Sequence, residues 1–293
     1  MAVERLLLRV AGITTGLVRG PGGPPLSLDE PTRLFLVDAG PPDVTVDVTW
    51  ADLSREAGGE PVFDSGSVWQ LHRQGGRLVF RFRSAIFGDV PYKTASFDTR
   101  LTRGEVRLHQ AYFEDRGPVY PLEYPLDELL MIGMLGQGRG VEIHGCGLVD
   151  RSGRGFLFVG QSGAGKTTMA RLWQREEGVT ILSDERVVLR NLDNRIWMYG
   201  TPWHGDEPIA SPVRVRLSQI FFLRQAAGHA LEAVTGAAAA ARLFATSFPP
   251  FYDRAALDFT LGLLEGVVGA VPCHALSFAP DPTVVEFIRR EAR

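Results

Sequence analysis

Lysine is almost missing from this chain: of 31 basic residues only Lys93 and Lys166 are lysines. Nucleotide composition explains that bias without an arginine-specific function. Cysteine is as scarce. Cys146 and Cys273 form no metal-ligand spacing and no disulfide framework, so a reducing cytoplasm is the expected compartment. Long apolar runs are also lacking. The most apolar stretch, 261–271, is broken by Gly262, Glu265, Gly266 and Gly269 and falls short of the ~18 residues a membrane span needs. Residues 1–9 offer too short an apolar core for a signal peptide. Neither charge sign is in excess, 31 basic against 34 acidic residues giving −3 at pH 7. That balance argues against a general nucleic-acid or anionic-membrane partner.

What is present fits a folded protein of 293 residues, 45% hydrophobic and 22% charged, long enough for two domains. The region 1–125 is expected to be β-rich. Residues 68–73 alternate, break at Gln74-Gly75-Gly76 and resume over 77–82, a hairpin pattern. A second hairpin is expected from 95–101 and 105–109, with its turn at Thr102-Arg103-Gly104. Such alternation suggests an antiparallel sheet with one buried face, on which Arg77, Arg81, Arg83, Arg100, Arg103 and Arg107 form a solvated side. Pro118, Pro121 and Pro125 then punctuate the chain, which places a domain boundary near 125/126 and a helix after it. From there helices and strands alternate to the C-terminus, with strands at 141–144, 155–159, 179–183 and 219–223 and helices at 166–177 and 236–244.

Residues 160–167 read Gly-Gln-Ser-Gly-Ala-Gly-Lys-Thr, a complete G-x-x-x-x-G-K-[ST] phosphate loop. An apolar strand precedes it and a helix-forming run follows. Glycines at 160, 163 and 165 let the backbone curl until its N–H groups converge on one centre at a helix N-terminus. Gly160, Ser162, Gly163, Ala164, Gly165, Lys166, Thr167 and Thr168 are therefore the candidate nucleotide-binding residues. Lys166 supplies charge to the β- and γ-phosphates and Thr167 a hydroxyl for Mg²⁺. One helix and one strand later come Asp184 and Glu185, expected at the end of the strand next to the loop, where carboxylates hold Mg²⁺ or take a proton from an attacking hydroxyl. His144, at the end of its strand, and His204, in the turn-rich stretch 200–206, are candidates to touch phosphate or tune the base. His72, His109, His229 and His274 are expected to be structural.

Together, Ile143-His144-Gly145, the loop at 160–168 and Leu182-Ser183-Asp184-Glu185 resemble the HPr kinase/phosphorylase family across roughly 126–293. The resemblance is strongest to divergent members from bacterial peptide-modification clusters, the lasso-peptide precursor kinases, which carry a loop like Gly200–Asp206. It implies an α/β fold, a P-loop kinase core of the HPr-kinase/PEP-carboxykinase-like type. The N-terminal β-rich region does not read like the N-domain of that family and is expected instead to present the peptide. It implies ATP and Mg²⁺ as cofactors and a serine of a peptide or small protein as acceptor. Asp184 then matches the catalytic base, His144 the phosphate-side histidine, and Glu185 stands for a second Asp on the metal side. Within 126–293 the family's Glu-x-Arg-Gly stretch has no counterpart, which sets HPr itself and the reverse phosphorolysis aside. Arg186, Arg214 and Arg216 are the candidates to neutralise the transferring phosphoryl group. Two other readings share the motif, a small-molecule kinase and a nucleotide-binding regulator without transfer.

Overall fold

Short alternating segments in the first 125 residues pair into one sheet, as seen in the computed structural model, which describes residues 5–56, 58–85, 87–113, 117–205 and 208–291. Residues 1–4 of the N-terminal stretch and Asp206 of the 200–206 loop lie outside the described residues. The chain is mixed α/β, with two large mixed sheets and few helices. It divides into two compact units, Met1–Met134 and Leu135–Arg293.

The first unit holds β1 (Arg5–Val10), β2 (Ile13–Arg19), a short α1 (Glu30–Arg33), β3 (Val44–Ala51), β4 (Glu60–Asp64), β5 (Trp69–Gln74), β6 (Arg77–Phe82), β7 (Lys93–Asp98), β8 (Arg103–His109) and a short α2 (Gln110–Phe113). The sheet order is β1-β2-β3-β8-β7-β6-β5-β4. The first hairpin forms as expected, β5 against β6, with Gly75 and Gly76 at positive φ in the turn. The second turn comes earlier than its glycine suggests. β7 stops at Asp98, and Arg103 and Gly104 already belong to β8. The Asp98 carboxylate draws the turn in by accepting the N–H groups of Arg100, Thr102 and Arg103. The sheet is not purely antiparallel either, because β3 runs parallel to both β2 and β8. Parallel neighbours need long connections, and residues 20–43 and 52–102 provide them. Several of the face arginines are tied down: Arg77 donates to Ser96 and Arg107 pairs with Glu56.

α3 (Leu126–Gly136) follows the prolines, and the division between units falls inside it rather than before it. The second unit continues with β9 (Val141–Val149), β10 (Gly155–Val159), α4 (Lys166–Gln174), β11 (Thr180–Ser183), β12 (Arg186–Leu192), β13 (Arg195–Gly200), β14 (Arg214–Gln225), β15 (Ala230–Ala233), α5 (Gly236–Phe244), α6 (Arg254–Ala270), β16 (Cys273–Phe278) and α7 (Thr283–Glu291). α6 is not evident from the glycine-broken sequence. It forms because Ala256, Thr260, Leu264 and Val267 recur at helical spacing and are buried, with Asp253 accepting the Ala256 N–H at its start.

Two long strands organise this unit. β9 pairs β12 through Val141–His144 and β10 through Gly145–Val149. β14 pairs β13 through Arg214–Arg216 and β10 further along. The strands β9, β12, β13, β14 and β10 therefore close a ring. Gly145 and Gly147 lie where β9 passes from one partner to the next. A Cβ at Gly147 would stand 2.7 Å from Val187 Cγ1 and 3.0 Å from Met198 Sδ, so the packed interior demands glycine. Alternation on β10 splits the core. Leu157 and Val159 pack with Ile143, Val187 and Leu264, and Phe156 and Phe158 pack with Trp173 of α4 and Val285 of α7.

Lys93, one of the two lysines, is fully buried in the first unit. Its ammonium donates to the Glu123 carbonyl at 3.2 Å and lies 4.8 Å from the Phe82 ring centroid. Burial pushes its pKa down from 10.5 to about 8, against the pull of Glu123 and Asp127. Between those values the unfolded chain holds the proton and the folded chain does not, so this group makes stability rise with pH across that window. Lys93→Met is expected to abolish that rise. Urea denaturation at pH 7 and pH 10 measures it, and an unchanged pH dependence would contradict the assignment.

Candidate functional site

The carboxyl ends of β10, β14 and β16 lie together, because β14 runs parallel to both of the others. That end of a sheet is where backbone N–H groups and loops face a ligand. The loop 160–165 leaves β10 there and turns into α4. Gly163 and Gly165 have φ of 80° and 105°. At Gly165 a Cβ would also lie 2.7 Å from Phe278 Cζ, so the curl requires glycine twice over. Gln225, at the end of β14, donates through Nε2 to the Gly163 carbonyl at 3.1 Å and pins the loop from outside. Lys166 begins α4 and folds back, its Nζ 3.2 Å from the Gly160 carbonyl oxygen. Gly160, Ser162, Ala164, Thr167 and Thr168 complete the cradle, with Ser162 exposed and Thr167 and Thr168 half-buried in the first helical turn.

Asp184 and Glu185 reach this end by an unexpected route. The spacing predicts a strand beside β10. Instead β9 lies between them, antiparallel to both β10 and β11. The pairings Ser183↔Gly147 and Arg186↔His144 make β11 and β12 successive stretches along one edge of β9. Asp184 and Glu185 thus occupy a break within one long line, just after a register shift between Ile181 and Ser183. Such irregularities re-aim side chains. His144 does not end its strand either; β9 continues to Val149, so the histidine sits mid-strand opposite Arg186.

Ser183 fastens the break. Its buried hydroxyl accepts the N–H groups of Glu185 and Arg186 and donates to the Trp203 carbonyl. The segment 201–205 is drawn over the carboxylates in this way, and Thr201 adds a hydrogen bond from its hydroxyl to the Arg186 carbonyl at 2.7 Å. At Gly200 a Cβ would stand 2.7 Å from the Leu182 carbonyl oxygen, so glycine is needed where the chain enters this segment.

The two acids face different surroundings, as neighbours on an extended chain must. Asp184 is 1% exposed. Its Oδ1 accepts the Gly205 N–H at 3.3 Å, and its Oδ2 has no hydrogen-bond partner among the described residues. Burial raises its pKa above the ordinary carboxylate value, partly offset by the Gly205 N–H. Glu185 goes the other way. Its Oε1 lies 3.1 Å from His144 Nε2 and 2.6 Å from Arg186 Nη1, and these partners, His144 first, bring its pKa down to about 2. Lys166 lies in the field of both acids, Glu185 contributing more, while burial lowers its own pKa.

The histidines separate. His144 belongs to the carboxylate cluster, whereas His204 is exposed, its Nδ1 2.9 Å from the Gly205 carbonyl oxygen. Three of the histidines expected to be structural have hydrogen-bond partners that the sequence did not reveal: His72 with Gly59, His109 with Leu53, His229 with Thr283. Of the candidate arginines, Arg186 is built into the cluster. Arg214 lies against Trp197 and donates to the Tyr199 hydroxyl, and Arg216 sits exposed on β14. Ser183, Gly205 and Gln225 escape sequence reasoning, since no motif marks them. A buried acid at position 142 had a trace, a charge inside the apolar run Val141-Glu142-Ile143.

Among the described residues no three His, Cys, Asp or Glu side chains converge as a metal set. The donors that are present, the Thr167 hydroxyl and the Glu185 and Asp184 carboxylates, are hard oxygens. They suit Mg²⁺, which is held by one or two protein oxygens together with phosphate and water. The unpartnered Asp184 Oδ2 fits the same use. No family model matches this chain, and no curated protein matches it.

Asp184→Asn keeps the shape and the Gly205 hydrogen bond but removes a charge that burial disfavours. Because the folded carboxyl holds its proton to higher pH than the unfolded one, its ionisation at neutral pH weighs against the fold. Asp184→Asn is expected to melt no lower than the parent at pH 7, and Glu185→Gln, which loses favourable partners, to melt lower. Calorimetry on both variants checks the order, and the reverse order would refute these electrostatic assignments.

Proposed function

We propose that the chain is an ATP- and Mg²⁺-dependent phosphotransferase that moves the γ-phosphoryl group of ATP to a hydroxyl, that of a serine in a peptide or small protein. On this reading the second unit is a P-loop kinase core of the HPr-kinase/PEP-carboxykinase-like type. The first unit, without a phosphate motif, serves acceptor recognition, and the reaction is cytoplasmic. One observation carries the proposal. A complete phosphate loop opens α4, and its Lys166 shares an electrostatic field with a buried, partly unpartnered Asp184.

The chemistry follows from the residues. Backbone N–H groups of the loop and the N-terminus of α4 hold the triphosphate. Lys166 leaves the Gly160 carbonyl for the β- and γ-phosphate oxygens. Thr167 and Glu185 would hold Mg²⁺, with Asp184 beside them, and the ion would supply positive charge to offset that of the phosphates. The acceptor oxygen forms a bond to Pγ as the bond from Pγ to the β–γ bridging oxygen breaks, and ADP leaves. Asp184 takes the acceptor proton, for which burial suits it by raising its proton affinity. The acceptor enters where the 201–205 segment covers Asp184, so its hydroxyl takes over from the Gly205 N–H.

Lys166→Ala is expected to retain the fold, since the side chain serves the ligand rather than the core, and to lose at least about 10²-fold in turnover. Asp184→Asn is expected to bind ATP yet lose about 10²–10⁴-fold in kcat, with no rescue by excess Mg²⁺. Incubation with γ-labelled ATP and serine-containing peptides, followed by mass spectrometry, measures both. Undiminished transfer by folded Lys166→Ala would sink the proposal.

A further inference from the structure

Glu142 is a carboxylate on a central strand, 0% exposed, and the reaction as described makes no use of it. It shares the face of β9 with His144, two residues along. Across the ladder His144 stands opposite Arg186 and Glu142 opposite Val188, so Arg186 meets both residues of β9, one directly and one on the diagonal. The guanidinium lies with Nε 3.4 Å from Glu142 Oε1 and Nη1 2.6 Å from Glu185 Oε1. Glu185 Oε1 in turn lies 3.1 Å from His144 Nε2. A line of alternating charge therefore runs from the interior to the metal-side carboxylate.

Phe248 fixes the guanidinium plane. Its ring centroid is 4.4 Å from the Arg186 guanidinium carbon, and its N–H donates to the Glu142 carbonyl at 2.9 Å. One residue thus grips both the acid and the arginine. Stability alone gives no reason for such a pair. Well-packed apolar side chains in place of a buried ion pair are often neutral or stabilising. What the pair supplies is orientation. The ion pair with Glu142 and the Phe248 ring hold the guanidinium from two sides, and its planar fork then presents Nη1 to Glu185.

We propose that Glu142 is a positioning residue for the phosphotransfer site, acting through Arg186 to aim the Glu185 carboxylate at the metal-bound nucleotide. This rests on the reading of Glu185 as a metal-side ligand. Residues that orient metal ligands from behind typically matter about 10–100-fold in metal affinity or activity.

The test is the affinity for Mn²⁺, standing in for Mg²⁺, in the presence of a non-hydrolysable ATP analogue, followed by electron paramagnetic resonance. Metal-free nucleotide affinity is measured in parallel. Glu142→Gln keeps size and removes charge; it is expected to weaken Mn²⁺ binding about 10–100-fold and to leave metal-free nucleotide binding unchanged. Arg186→Lys, which keeps a cation but loses the fork, is expected to weaken Mn²⁺ binding by a similar factor. In the Arg186→Lys background, Glu142→Gln is expected to add less than about twofold, since the two act in series. Should Glu142→Gln fail to fold, Glu142→Asp keeps the charge, shortens its reach, and is expected to weaken Mn²⁺ binding in the same direction. Parent-like Mn²⁺ affinity in a folded Glu142 variant, or full additivity with Arg186→Lys, overturns the positioning role and leaves the phosphotransfer reading standing. Failure of the parent chain to bind Mn²⁺ with nucleotide overturns both.

Discussion

A strand with neighbours along both edges has little freedom, and β9 is such a strand. On one edge it carries β11 and then β12; on the other it carries β10, and near its start Ile143 bridges to Ser247. The backbone hydrogen bonds of β9 thereby fix four segments relative to one another. The phosphate loop, the acid pair and Phe248 reach the site on those segments, and His144 on β9 itself. Displacing β9 by one residue would turn Glu142 and His144 toward the apolar interior and Ile143 outward. The large apolar side chains on the inner face forbid that, so burial of Val141 and Ile143 holds the polar site in register.

The electrostatics of the site follow from the same arrangement. Adjacent residues in extended chain point apart, so two acids that look alike in sequence acquire opposite character. Asp184 is pressed under 201–205, where burial outweighs the backbone N–H groups it accepts, and becomes the more avid for a proton. Glu185 meets a guanidinium and an imidazole and stays ionised. Cys146, on β9 between the two acids and Lys166, is buried and its thiol is pushed up by burial and by Asp184, so it adds no competing thiolate.

Local pattern carried most of the secondary structure. Gly75-Gly76 and Asp193-Asn194 supply the positive φ values that tight hairpins need, and the sequence around each marks the turn. The Asp98 turn was misplaced because a side chain, rather than Gly104, closes it. α6 was overlooked because Gly262, Gly266 and Gly269 weaken helix propensity, whereas burial of one face of the helix outweighs that cost. At the site, the phosphate loop was readable because its glycines are required by backbone geometry alone, without help from the rest of the fold.

Sequence by itself determined the ingredients: the phosphate loop, the strand before it, the helix after it and the two acids downstream. These depend on residues close together along the chain, where sterics and hydrogen bonding act over one or two turns. Which strand lies beside which was decided only by tertiary structure. A spacing of one helix and one strand suits neighbours of β10 as well as next-but-one neighbours. The choice fell to β9, whose Gly145 and Gly147 allow close approach on the inner face while Cys146 and Leu148 fill the other. The different fates of Asp184 and Glu185, the separation of His144 from His204, and the burial of Glu142 behind Arg186 have the same origin. Each depends on which groups surround a side chain in three dimensions, and desolvation and charge pairing act there and not along the sequence.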